Sequence, residues 1–264
     1  ANGVLYLDDL KKIVDSNVCL IAFPHASNII GQINPVKEIC TLAKEVGAFT
    51  CVDGVSFAPH GIPQINDFDP DIYLFSSYKT YGPHLGVMYL SDKLAAELES
   101  QCHYFNKELP NKRFTPAGPD HAQVAALGGV YDYFEALSNY HQNSELSSNS
   151  SIKQVNELIS NQEKKLLKPL LDFLKTRKDV RLLGSYDLEN RVPTVAIVTK
   201  KSNIALAKEL NGLNISVGVG DFYAVRLLQA LDVDIDEGVI RLSFVHYTSD
   251  SDVEKLMSGL DQHL

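Results

Sequence analysis

The sequence predicts an α/β protein in two parts: a mostly parallel sheet covered by helices, then a small C-terminal α+β domain. Three observations predict it. Up to Leu90, short continuous apolar runs alternate with segments of helical spacing, the rhythm of a covered parallel sheet. A Ser- and Asn-rich stretch, Ser138 to Ser151, interrupts the pattern. Beyond it, a long helical segment leads into a shorter alternation of strands and helices. The expected division is residues 1–145 for the larger domain and 146–264 for the smaller.

Taken in order, Leu7 to Val14 has the spacing of a short amphipathic helix, with Asp8 and Asp9 at its positive end. Asn17 to Phe23 is apolar almost throughout and predicts a strand buried on both faces. Pro35 suits a first helical turn, and Val36 to Val46 is helical in spacing until Gly47. Ala48 to Asp53 predicts a second buried strand ending on a carboxylate, and Ile72 to Phe75 a third ending on Ser76 and Ser77. Gly86 to Leu90 predicts a fourth, with a helix from about Asp92. Gly118 to Leu137 reads as a turn and a helix, Ser138 to Ser151 as a loop, and Ile152 to Lys175 as a long helix bent near Pro169. Strands follow at Val180–Leu183, Thr194–Val198, Ile215–Val219 and Val239–Phe244. Helices are expected at Ile204–Leu210, Phe222–Ala230 and Asp250–Leu260.

Composition narrows the function classes. The 264 residues carry a formal net charge of −9 and contain no basic stripe, which argues against a nucleic-acid partner. No apolar run approaches the roughly 20 residues that span a bilayer, so no membrane role is expected. Ala1 to Leu7 does not read as a signal peptide. The four cysteines, Cys19, Cys40, Cys51 and Cys102, include no CxxC pair. A soluble cytoplasmic protein in a reducing compartment is the expectation.

In a parallel sheet the chemistry collects beyond the carboxyl ends of the strands. Asn28, Asp53 and Ser76 to Lys79 all fall there. A lysine just past a buried strand is placed to be partly desolvated, which frees an amine nucleophile. Taken alone it is more simply a solvated loop lysine. Asp53 changes the reading, because a carboxylate at a buried strand end needs a cationic partner. Pyridoxal phosphate meets that need: its pyridine nitrogen must stay protonated for the ring to act as an electron sink. Lys79 and Asp53 on adjacent strand ends would address the two ends of one ring. Asn28 could equally be a cap, Ser76 and Ser77 could satisfy strand-end backbone groups, and Arg241 could sit in a surface ion pair. His25, His60 and His84 match no metal-ligand spacing, and structural roles are expected of them.

Four motifs in order, Asn28-Ile-Ile-Gly31, Asp53-Gly-Val-Ser-Phe-Ala-Pro-His60, Ser76-Ser-Tyr-Lys-Thr-Tyr-Gly-Pro-His-Leu-Gly86 and Arg241-Leu-Ser-Phe-Val-His-Tyr-Thr248, resemble the pyridoxal-phosphate-dependent class V aminotransferases and cysteine desulfurases. The resemblance covers nearly the whole chain and implies the aspartate aminotransferase-like transferase fold (fold type I). It implies that Lys79 forms the Schiff base and then shuttles the proton at the substrate α-carbon, and that Asp53 pairs with the pyridinium nitrogen. Ser56 stands where relatives usually have Gln, a donor to the ring hydroxyl. Ser76 matches a phosphate ligand, and Tyr78 replaces the usual His before the lysine while keeping a hydroxyl for phosphate. Asn28 would lie at the ring edge near the substrate, and Arg241 would clamp the substrate carboxylate.

Two departures shape the functional expectation. Relatives are longer at the N-terminus, where they carry the turn that holds the cofactor phosphate and the side chain that stacks on its ring. Against that pattern the chain is expected to be N-terminally incomplete. Pro116-Ala-Gly-Pro119 also places Gly118 where relatives have a Thr that donates to the neighbouring subunit's phosphate. Secondly, desulfurases carry a sulfur-accepting cysteine in the small domain, and no cysteine follows Cys102 here. The leading expectation is a homodimeric enzyme acting on a small amino acid at its α- or β-carbon. The alternative is a catalytically silent chain serving as a structural or partner subunit.

Overall fold

The computed structural model describes residues 2–141 and 148–264. Helix α1 (Leu7–Ile13) has Asp8 and Asp9 in its first turn and Lys11 and Lys12 in its last, complementing the helix dipole. The first sheet is built from β1 (Leu20–Pro24), β2 (Phe49–Asp53), β3 (Ile72–Ser76) and β4 (Gly86–Leu90), hydrogen-bonded in that order. β1, β2 and β3 run parallel, and β4 returns antiparallel along β3. Between them lie α2 (Val36–Val46) and the short α3 (Ile65–Phe68), and α4 (Asp92–Glu97) follows β4.

Register decides which residues share a face, because successive side chains on a strand alternate sides. Ile21, Phe23, Val52 and Tyr73 point into a core made with Val36, Ile39, Cys40 and Ala43 of α2. The other face holds Leu20, Ala22 and Pro24 beside Phe49, Cys51 and Asp53, and these beside Ile72, Leu74 and Ser76. That face is open: Leu20 is 48% and Met88 55% exposed. The strand expected at Asn17 therefore starts at Leu20 and is buried on one face, not two. Its run is apolar throughout, but only Ile21 and Phe23 meet α2. The same alternation leaves Asp53 exposed at the end of β2, not buried there as expected.

The second half contains α5 (His121–His141), α6 (Ser148–Thr176), β5 (Val180–Leu183), β6 (Thr194–Thr199), α7 (Asn203–Gly212), β7 (Gly218–Gly220), α8 (Val225–Ala230), β8 (Val239–Ser243) and α9 (Asp250–His263). Its sheet, in the order β5-β6-β8-β7, is antiparallel throughout. Leu166, Leu170 and Leu174 of α6 pack with Val195, Ile197, Ile240 and Leu242 of the sheet and with Leu256 and Leu260 of α9. The loop expected from Ser138 to Ser151 is helical at both ends, and residues 142–147 lie outside the described ones. Ser and Asn cost a helix only a few tenths of a kcal/mol each, too little to halt helices anchored elsewhere by packing. Asp252 closes a capping box with Ser249 at the start of α9. No helix among the described residues is long and apolar enough to cross a membrane.

The two halves meet at the turn after β1. Ile29 and Ile30, both buried, insert among Leu183, Ala196, Leu228 and Val239. A backbone bridge between Gln32 and Arg191 and a hydrogen bond from Val192 N–H to the Gly31 carbonyl (2.8 Å) complete the joint. Arg191 is buried there and donates to the carbonyls of Thr194 (2.7 Å), Ser185 and Ile30. Desolvation pushes its guanidinium pKa down to about 10.

Candidate active site

Asp53 and Ser76 lie on the open face, at the carboxyl ends of neighbouring parallel strands; Asp53 is in register with Leu74, two residues before Ser76. The Asp53 carboxylate accepts a hydrogen bond from Val55 N–H (2.9 Å), an Asx turn that orients it. Its carbonyl accepts from His25 N–H (2.7 Å), tying the end of β2 to the end of β1. Ser56 follows within the turn closed by Phe57 N–H on the Gly54 carbonyl (3.0 Å).

Behind this strand end lies a buried aromatic pocket. His25 is 3% exposed, stacks on Phe57 (centroids 3.6 Å, 16°) and hydrogen-bonds the Tyr73 hydroxyl through Nδ1 (2.7 Å). A Cβ on Gly54 would fall 2.3 Å from that hydroxyl, so glycine is what lets Tyr73 reach His25. Burial lowers the His25 pKa to about 3. Burial, and then the charge of Asp53, raise that of Tyr73. The unfolded chain binds a proton here near pH 6.5 and the native state resists it until about 3, so the unfolded state holds more protons between. Stability contributed by neutral His25 is therefore complete above about pH 6.5 and declines on acidification, by about 2 kcal/mol at pH 5. His25→Gln is expected to flatten the fall in urea-unfolding stability between pH 7 and 5 by that amount. An unchanged slope would contradict the assignment.

Lys79 ends a single 3-10 turn, Ser77–Lys79, directly after β3. Buried Ser77 pins the turn: its N–H donates to Leu85 O (2.8 Å), its hydroxyl to Pro83 O, and its carbonyl accepts from Gly82 N–H (2.9 Å). Gly82 packs closely on this turn: a Cβ there would lie 3.0 Å from Val130 Cγ2 and 3.2 Å from both Ser77 Cβ and O. Tyr78 stacks on His84 (4.6 Å, 8°), with Lys79 Nζ 5.9 Å from the Tyr78 ring centroid. Lys79 is exposed, contrary to the partial desolvation expected, because the turn projects it off the end of the sheet. It makes no ion pair with Asp53.

Arg241 lies at the middle of β8, paired to Ala196 and Gly218. Its Nη1 donates to the Asn28 carbonyl (3.1 Å), while Asn28 Nδ2 donates to the Phe222 carbonyl (2.9 Å). The Phe222 ring covers the guanidinium at 3.9 Å, and burial lowers the Arg241 pKa. Two motifs 213 residues apart in sequence thus meet in one contact. Arg241 is held by a carbonyl and a ring, not by a surface ion pair.

The sequence reading missed Phe222, His25 as a partner of Tyr73, and a polar bridge between the two halves. Tyr81, two residues after Lys79, donates to Pro59 O (2.5 Å) and sits 3.4 Å from His246 Nδ1. His246 Nε2 lies 2.5 Å from the Tyr133 hydroxyl, and its backbone bonds buried Glu163, which pairs with His60 (2.9 Å). The signal was a tyrosine within the third motif and a histidine within the fourth. Their spatial meeting has no local periodicity. Among the described residues, no group of three or more His, Cys, Asp or Glu could hold a metal.

An acid, an amine and hydroxyl donors gathered at one open strand-end edge suit an aromatic cation bearing an aldehyde and a phosphate. The residues present fit pyridoxal phosphate.

Comparison with known proteins shows the family. The aminotransferase class-V family profile matches residues 1–256. The aminotransferase-like protein FGM3 of Gibberella zeae is 30% identical over all of this chain and 63% of its own length. The cysteine desulfurase-like protein ustD of Aspergillus flavus is 28% identical, over 98% of this chain and 57% of its own. The crystal structure of the cysteine desulfurase CsdA from Escherichia coli superposes with a TM-score of 0.79 at 22% identity, over the whole chain and 63% of that structure. The chain thus spans about three fifths of the length of these relatives. With the profile covering all but its last residues and the fold shared with a solved desulfurase, the chain belongs to the class-V aminotransferase family.

Proposed function

We propose that this protein is a pyridoxal-phosphate-dependent enzyme acting on a small amino acid, with Lys79 as the covalent anchor of the cofactor. The observation that carries the reading is the placement of Asp53 and the Lys79 turn at the carboxyl ends of neighbouring parallel strands, on the open side of the sheet. When bound, the cofactor supplies an electron sink for negative charge at the substrate α-carbon. Asp53, oriented by Val55 N–H, holds the proton on the ring nitrogen. Ser76 and Tyr78 offer hydroxyls to the phosphate, and Ser56 offers one to the ring hydroxyl. Asn28 stands at the substrate edge. Arg241 takes the substrate carboxylate through guanidinium N–H groups that Asn28 O leaves free. Lys79 then moves the proton at the α-carbon, a role open to an amine that pairs with no carboxylate among the described residues. The relatives named as aminotransferase-like and cysteine desulfurase-like support the amino-acid substrate class.

Asp53→Asn tests this reading, since it keeps size and the turn while removing the charge that retains the ring proton. Turnover of the cofactor-loaded protein is expected to drop about 10²–10³-fold, in line with losing a charge-assisted partner in a site of this kind. Stability should hardly change, because Asp53 is exposed. Wild-type turnover in Asp53→Asn would remove the assignment.

A further inference from the structure

We propose that Phe222 is a positioning residue that holds Arg241 in one plane and so sets the affinity for the amino-acid carboxylate. This rests on the reading of Arg241 as the carboxylate clamp. Phe222 lies in the segment between β7 and α8, where the sequence predicts the start of a helix. Instead the helix waits until Val225, and Phe222 and Tyr223 both take positive φ, 50° and 62°. Bulky residues avoid that conformation unless their surroundings over-determine it.

Three contacts do so here. Asn28 Nδ2 holds the Phe222 carbonyl at 2.9 Å. The Phe222 ring lies over the Arg241 guanidinium at 3.9 Å. Gly218, the β-partner of Arg241, leaves the space the ring occupies, since a Cβ there would stand 2.7 Å from the Phe222 ring. With Arg241 Nη1 on the Asn28 carbonyl at 3.1 Å, the three residues form a closed clamp. The consequence is geometric. An arginine side chain has many rotamers, and a carboxylate must order it on binding. A ring across its face and a carbonyl at one Nη leave the guanidinium in one orientation beforehand, with its other in-plane donors unspent. Tyr223, fully exposed beside it, shares none of these contacts.

The test uses protein loaded with pyridoxal phosphate and a panel of glycine, L-alanine, L-serine and L-cysteine, read by calorimetric dissociation constants and by KM and kcat. Phe222→Ala is expected to weaken the tightest binder by about 2- to 30-fold, the range of a cation–π contact from exposed to desolvated. KM should rise with it while kcat changes less. Phe222→Tyr should bind like wild type, and Gly218→Ala, which pushes the ring aside without removing it, should behave like Phe222→Ala. A variant that loses thermal stability yet keeps wild-type binding would reduce Phe222 to a structural role and overturn the proposal. Arg241→Met separates the two levels. If it binds the panel as wild type does, or if wild type binds none of the four, the carboxylate reading itself fails. If Arg241→Met loses binding while Phe222→Ala keeps it, only the role of Phe222 falls.

Discussion

Lys79→Ala is expected to abolish the absorbance band that the wild-type protein carries after loading with pyridoxal phosphate, and to lower turnover by at least about 10²–10⁴-fold. Two separate roles converge on this amine. On the proposed reading it is the nucleophile toward the cofactor aldehyde, and among the described residues no other lysine follows directly on a strand that neighbours Asp53. On the same reading it is also the proton carrier at the α-carbon. Removing both at once leaves only binding and orientation. Lys79→Arg should be nearly as damaging, because a guanidinium keeps the charge but cannot serve as a neutral nucleophile near neutral pH. Folding should survive either change: Lys79 is exposed and makes no ion pair with Asp53, and the turn is pinned by Ser77, whose bonds run to Pro83, Leu85 and Gly82. A Lys79→Ala protein that retains the band, in a form that borohydride still fixes, would move the anchor to another lysine.

The fold was legible where local pattern and burial agree. α2 runs from Val36 to Val46 as its spacing predicts, because Val36, Ile39, Cys40 and Ala43 make one stripe against β1, β2 and β3. What local pattern cannot show is which face of an apolar strand is covered. Leu20 and Ile21 look alike in sequence, and only the packing of α2 distinguishes them. The same blindness misjudged Asp53 and Lys79 as desolvated groups. Their placement at neighbouring strand ends follows from topology, whereas their exposure depends on what stands over the open face. Phe222 shows a different limit. Helical spacing continues back from Ala230 to Phe222, yet contacts with Asn28 and Arg241, distant in sequence, hold Phe222 out of the helix. Tertiary contacts overrode a weak local preference.

Gly31→Ala is the second large expectation, a loss of about 3 kcal/mol or more in unfolding free energy. Gly31 has φ 69°, and a Cβ there would stand 2.4 Å from the Thr194 carbonyl oxygen and 2.8 Å from that of Val192. Both obstacles are backbone carbonyls at or just before the start of β6, and Arg191 Nη2, which holds Thr194 O at 2.7 Å, itself stands 3.3 Å from the added carbon. Neither can retreat without opening the joint in which Ile29 and Ile30 are buried. Gly47→Ala is the control. Its φ is 81°, but nothing lies within 4 Å of the added carbon, so it should cost only the left-handed penalty of about 1–2 kcal/mol. Urea denaturation of both variants isolates the clash from the backbone term, and equal losses would mean that the joint yields freely. The joint also carries Asn28, whose carbonyl and amide hold Arg241 and Phe222. A Gly31→Ala protein that still folds should therefore bind amino-acid carboxylates more weakly, while Gly47→Ala should not. A glycine that touches no reacting group would then prove to set the geometry of the carboxylate clamp through the way the two halves dock.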